Sequence, residues 1–191
     1  MDALRKEKKH FNYSDYITWN DKERCELIDG VAYNMSPAPS WCHQGISGNL
    51  YGQLFVYLRG KRCRVFAAPF DVRLNAETSD DTVVQPDLIV ICDHSKLCGT
   101  GCTGTPDMVV EVISPSTAAY DKVLKFNLYR QAGVREYWII DPDTRTVATH
   151  VLKDGEYITR AFSATDKAPV HIMDGCTINL IEVFADCSEA I

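Results

Sequence analysis

The stretch over residues 106–141 constrains the fold more than any other part of this chain. "PDMVVEVIS" is too continuously apolar for a half-exposed strand, so it reads as a strand buried on both faces. The period then changes. Tyr120, Leu124, Leu128 and Ala132 recur at i, i+4, i+8 and i+12, the stripe of an amphipathic helix. Ser116 or Thr117 suits its N-cap and Gly133 its C′ position. "VREYWIID" returns to strand character. Strand, helix and strand within about 35 residues make a βαβ unit, with a parallel strand pair and a right-handed crossover.

Glu111 is the anomaly in that unit. An ionised carboxylate in an apolar interior costs several kcal/mol unless something compensates it. Strand alternation puts Val109, Glu111 and Ile113 on one face, and Asp87, Ile89 and Ile91 on one face of "QPDLIVICD". If these strands are neighbours, Asp87 and Glu111 converge. Two hard carboxylates suit Mg2+ or Mn2+ rather than a thiol-type zinc site. The competing reading is a buried acid paired with a structural Lys or Arg. Lys125 lies beside the apolar stripe, with Lys122 and Tyr129 at i−3 and i+4, and is placed to point back over the strand ends. Asp107 stands four residues before Glu111, ~13 Å along a strand and too far to share an ion. It reads as a cap on the strand's start or a contact to the loop.

The remainder fits one α/β (α+β) domain over 1–191, with 1–10 as a flexible tail and β-hairpins added at both ends. Asp29-Gly30 and Asp154-Gly155 mark those hairpins. Ile46, Leu50, Leu54 and Leu58 space a helix over Trp41–Leu58. "CRVFAAPFDVRL", which Pro69 can break, and "TVVQPDLIVICD" read as two further strands. The loop after them is Gly-rich and polar. No apolar stretch approaches the ~20 residues of a membrane span. The basic N-terminus lacks the apolar core of a secretory signal, so the expectation is a cytoplasmic protein that binds no membrane.

A net charge of -6 argues against a general polyanion binder. It leaves room for a local basic face at Arg59, Lys61, Arg62 and Arg64, either a solvated helix end or a phosphate contact. The eight cysteines are irregularly spaced and read as reduced thiols. Only Cys98 and Cys102 look paired, and the second half of a zinc clip is missing.

"ELIDGVAYNMSPAPSWCHQ", "VVQPDLIVICD", "PDMVVEVISPST" and "DKVLKFNLYRQAGVREYWIIDP" together resemble the Uma2 (DUF820) family of the PD-(D/E)XK restriction-endonuclease-like superfamily. The resemblance runs from about residue 11 to residue 185. It implies a mixed sheet core flanked by helices and a metal-dependent endonuclease, with Mg2+ or Mn2+ as cofactor and DNA as the expected nucleic-acid partner. Asp87 and Glu111 match the metal-binding acids, and the Val112 main-chain carbonyl completes such a site. Glu26 matches the family's early acid. The superfamily's Lys falls at Ile113, and Lys125 on the next helix takes its place. His43 and Gln44 match the "HQ" after the preceding loop, with a phosphate or water contact implied for them and, with lower weight, for Tyr129. For His43 a hydrogen-bonded helix-start role is an equal reading. The other functional class is a nuclease-like fold used for binding or regulation. Cutting duplex DNA takes two sites, so a homodimer is expected.

Overall fold

The computed structural model describes residues 10–19, 24–35, 38–114 and 120–187. Residues 1–9 of the expected tail and the Ser116/Thr117 cap lie outside them, whereas His10, at the end of that tail, is described and brings Nε2 to 3.0 Å from Asp81. A short helix, α1 (Tyr13–Tyr16), precedes the hairpin of β1 (Cys25–Ile28) and β2 (Val31–Asn34). Asp29 and Gly30 turn it with φ of 48° and 75°, the geometry that an Asp-Gly hairpin dipeptide favours. The long helix α2 (Trp41–Leu58) follows. Ser40 caps it by accepting the His43 N–H, and Ile46, Leu50, Leu54 and Leu58 are its buried stripe.

Seven short strands come next: β3 (Arg64–Ala67), β4 (Asp71–Arg73), β5 (Val83–Val84), β6 (Leu88–Ile91), β7 (Leu97–Cys98), β8 (Gly101–Thr103) and β9 (Met108–Val112). A π-helical turn over Tyr120–Lys125 leads into α3 (Phe126–Ala132). Gly133 ends it at φ 82°, a left-handed position that costs glycine little. Then follow β10 (Glu136–Asp141), β11 (Thr146–Lys153), β12 (Glu156–Ser163), β13 (Lys167–Pro169), β14 (Thr177–Asn179) and the short α4 (Leu180–Val183).

The central sheet has the order β12-β11-β10-β9-β6-β3. Its parallel pair is β9 with β10, the two strands of the βαβ unit. One face carries Val90, Met108, Val110, Trp138 and Ile140 against the α2 stripe. The other carries Ile89, Ile91, Val109 and Ile139 against Tyr129 and residues of a second sheet, ordered β2-β1-β5-β4-β8-β7. Both faces are covered, so the strands are apolar throughout rather than alternating.

Prolines set where the chain changes sheets. Pro69 separates β3 in the central sheet from β4 in the second. "TVVQPDLIVICD", expected as one strand, is likewise two: β5 and β6, on either side of Gln85-Pro86-Asp87. Proline offers no N–H to a ladder, so it ends the run. The Gly-rich loop contains the β7–β8 hairpin.

The helix stripe also differs from its expected position. Leu124 and Leu128 are half-buried, whereas Lys125 and Tyr129 are buried. A π turn adds a residue per turn, which rotates the buried face by one position relative to a 3.6-residue reading. The cysteines are corrected too. Cys63 pairs with Cys92 and Cys42 with Cys187. The first pair flanks the Arg64–Ile91 register of β3 and β6, so strand pairing joins residues 29 apart in sequence. Cys98 and Cys102 are free and sit in the β7–β8 hairpin.

His150 sits beneath α3 among Phe126, Tyr137 and Tyr157. Its Nδ1 lies 2.8 Å from the Thr159 hydroxyl, and its buried Nε2 has no partner among the described residues. Burial lowers its pKa from 6.5 to about 4. The folded state therefore holds a neutral ring that the unfolded chain protonates. The resulting stability is complete above pH 6.5 and is lost as pH falls through about 4. The loss is about 3 kcal/mol at most. The urea midpoint should therefore drop between pH 7 and pH 4.5, and His150→Phe should reduce that drop. An equal drop in the variant would show that the histidine does not drive it.

Candidate active site

The turn Gln85-Pro86-Asp87 carries the chain from the second sheet into the central one. It therefore brings the two sheets' polar groups to one place. β6 pairs antiparallel with β9, Leu88 opposite Val110, and the next step along that register sets Asp87 opposite Glu111. The expected neighbouring of the two strands is present, and its register extends to bring Asp87 and Glu111 to adjacent strand ends. Asp87 Oδ2 accepts the Val112 N–H at 2.7 Å, so the acid is pinned across the strand end. His43, in the first turn of α2, brings Nε2 to 3.2 Å from the same oxygen.

Lys125 lies beneath. Its ammonium is 2.7 Å from Glu111 Oε1 and 2.9 Å from Glu26 Oε1. Glu26 comes from β1 and is fixed by the Gln85 N–H at 2.8 Å. Tyr129, one helical turn after Lys125, donates its hydroxyl to Glu111 Oε1 at 2.9 Å. Burial, and then the charge of Glu111, push the Tyr129 hydroxyl well above its ordinary pKa. It stays a proton donor to the acid.

Exposure grades across the cluster. The side chains of Glu26, Lys125 and Glu111 are 3%, 5% and 7% exposed, and that of Asp87 is 21% exposed. Asp87 and His43 form the mouth, and the bridged lysine forms the floor. Two carboxylates, Glu26 and Glu111, share one ammonium, and the β6–β9 register puts Asp87 on the strand beside Glu111, so acids outnumber the lysine in this region. A cluster built for stability alone gains nothing from such an excess.

Each residue expected from the sequence has a definite place. Glu26, Asp87, Glu111, Lys125 and His43 are together. Tyr129 is fully buried with its hydroxyl given to Glu111, so it supports the acid instead of facing a substrate. Gln44 is exposed beside His43 in the first turn of α2. Ile113, where the motif lysine would stand, is buried in the apolar face under α3. Asp107 accepts the Cys92 N–H and pairs with Arg135, a strand-start role apart from the cluster.

Sequence reasoning missed Gln85 and its surroundings. The Gln85 side chain bonds Asp71 at 2.8 Å, the Tyr16 hydroxyl at 3.1 Å and exposed Arg24 at 2.9 Å. Its one sequence signal is adjacency to Pro86-Asp87. The partners lie up to 69 positions away.

Among the described residues no three His, Cys, Asp or Glu side chains cluster as a ready metal cage. Mg2+ does not require one. It is commonly held by one or two carboxylates and keeps several waters. Asp87, Glu111 and the Val112 carbonyl are all hard oxygen donors, and the excess negative charge favours a cation. The donor set fits a divalent ion of that class.

Known proteins are similar to this chain in sequence or in fold. A protein from Synechocystis sp., slr1290, is 29% identical over 157 residues, which cover 80% of each chain. A second, sll1609, is 30% identical over 122 residues, 62% of this chain and 67% of that one. The fold is similar to the crystal structure of a DUF820 nuclease described as "putative" from Anabaena variabilis. Its TM-score is 0.74 at 17% identity, over 93% of this chain and 99% of that one. The Uma2 family model, described as "Putative restriction endonuclease", matches residues 13–180, and the chain belongs to the Uma2 family.

Proposed function

We propose that the protein is a metal-dependent endonuclease that hydrolyses phosphodiester bonds, with DNA as substrate. One observation carries the reading: Lys125 bridges buried Glu26 and Glu111, next to the strand end where Asp87 accepts the Val112 N–H and lies partly open beside His43. A module that only binds a polyanion has no use for converging acids, which repel phosphate unless a cation intervenes.

Asp87, Glu111 and the Val112 carbonyl would hold the ion. It would supply Lewis acidity at the scissile phosphate and acidify the attacking water. The chain's own groups do the rest. Tyr129 and Lys125 hold the Glu111 carboxylate in a single orientation. Glu26 holds Lys125 in turn. The ammonium sits in a nearly dry site, where its charge acts strongly on negative charge developing at a phosphoryl group. His43, at the mouth, brings Nε2 within hydrogen-bonding distance of Asp87. The lysine of the usual motif is not needed at position 113, because the Lys125 ammonium reaches Glu111 from the π turn that leads into α3.

The test is incubation of supercoiled plasmid and a single-stranded oligonucleotide with Mg2+, Mn2+ or EDTA. Wild type should cut with metal and not with EDTA, and Asp87→Ala should lose at least about a hundredfold in rate. Equal cutting by the variant would remove Asp87 from the site. A wild type inert on every substrate, yet stabilised by metal, would favour the binding or regulatory reading.

A further inference from the structure

Strand β12 ends the central sheet, and no described strand pairs with its outer edge. It is eight residues long, "EYITRAFS", with no Pro and no Lys. The opposite edge, β3, has four residues. The second sheet's edges, β2 and β7, have four and two. Long edges are normally shortened, bulged or blocked with Pro or Lys, because their unpaired backbone groups recruit another strand. β12 has none of these devices, and its register with β11 is unbroken from Glu156 to Ser163.

The hairpin turn decides which backbone groups face outward. Asp154 and Gly155 have φ of 52° and 83°, a two-residue turn that makes Lys153 and Glu156 the closing hydrogen-bonded pair. Alternation then turns the N–H and C=O groups of Glu156, Ile158, Arg160 and Phe162 toward β11. Those of Tyr157, Thr159, Ala161 and Ser163 face out. Two bonds agree with this phase. The Leu152 N–H points away from β12, to Arg135 O. The outward Ser163 N–H is taken by Asp166 Oδ2 at 2.7 Å, which closes the far end of the open stretch.

We infer that β12 pairs antiparallel with β12 of a second copy, about a two-fold axis at Ile158. Three symmetric registers keep the outward groups in phase over most of the strand. Centred on Arg160, the pairing sets that guanidinium against its own copy. Centred on Thr159, it sets Glu156 against Phe162 and Ile158 against Arg160. Centred on Ile158, it sets Glu156 against Arg160 of the second copy, twice by symmetry, and Ile158 against Ile158. Tyr157 and Thr159 then exchange main-chain hydrogen bonds across the axis. Opposite charges stabilise a directly opposed pair and like charges destabilise it, so the Ile158 register is preferred. The exposures fit. Ile158 is an exposed apolar residue at 51%. The Glu156 side chain is 74% exposed and meets Arg130 of its own chain on one side only. The result is one continuous sheet across two copies, each with its own candidate site. The inference stands on the strand edge and not on the nuclease reading.

Sedimentation equilibrium over a broad concentration range tests it, with circular dichroism as the control on folding. Wild type should show a reversible monomer–dimer equilibrium. Arg160→Glu should weaken the dimer about tenfold or more, since two attractive pairs become repulsive. Glu156→Arg should do the same, and the double variant Glu156→Arg/Arg160→Glu should restore assembly. In a Cys98→Ser background, Ile158→Cys should give a covalent dimer on oxidation. A wild type monomeric at every concentration would overturn the proposal. So would a dimer indifferent to Arg160→Glu, or a double variant that stays dissociated.

Discussion

Lys125→Met should lower stability by about 3–5 kcal/mol, the cost of leaving buried charge without its partner, and, on the proposed nuclease reading, should abolish cleavage. The lysine is 4% exposed and serves two acids at once, Glu26 and Glu111. Without it, both carboxylates stay behind in a nearly dry site. Such a loss corresponds to about 10 °C or more in melting temperature for a chain of this size. Isosteric replacement of the whole cluster, Glu26→Gln/Lys125→Met/Glu111→Gln, should recover most of the stability, because a buried ion cluster is seldom worth more than neutral groups of the same shape. The triple variant should remain inactive. Thermal melts with cleavage assays separate the roles. An unchanged melt for Lys125→Met would dissolve the cluster as described, and a cleaving triple variant would show that its charges do no chemistry.

If the proposed ion binds at Asp87 and Glu111, Glu111→Gln should remove stabilisation by Mg2+ or Mn2+ while leaving the fold in place. For wild type at a free Mg2+ or Mn2+ concentration about a hundredfold above Kd, mass action adds about 2.7 kcal/mol. That raises the melting temperature by roughly 5–10 °C. The substitution preserves the shape and the hydrogen bond from the Tyr129 hydroxyl. Lys125 retains Glu26 at 2.9 Å. The metal-free variant should therefore melt within a few degrees of wild type. A metal-dependent gain as large as wild type's would place the ion elsewhere.

Local patterning carried a large share of this fold. The i, i+4 leucines of α2 and its Ser40 cap define a helix from Trp41, because both signals are contained within a few turns. Asp29-Gly30 and Asp154-Gly155 define hairpins, because the turn's positive φ values select those residues. The opposition of Asp87 and Glu111 across neighbouring strand ends was legible from strand alternation plus one assumption, that β6 and β9 are neighbours. Where a proline broke a ladder the reading was less secure, since "TVVQPDLIVICD" serves two sheets.

The sequence by itself determined the elements, the buried faces and the identity of the unusual acid in "VVEVI". Those depend on periodicity and on φ preferences, which act between near neighbours. Tertiary structure decided the partners. That Lys125 and Tyr129 face inward follows from a π turn stabilised by what it packs against, not from any local preference. That Gln85 fixes Glu26, or that Cys63 meets Cys92, depends on contacts 59 and 29 positions apart. Burial of charge rewards whichever partner the completed fold brings within about 3 Å, and the order of residues along the chain does not encode that distance.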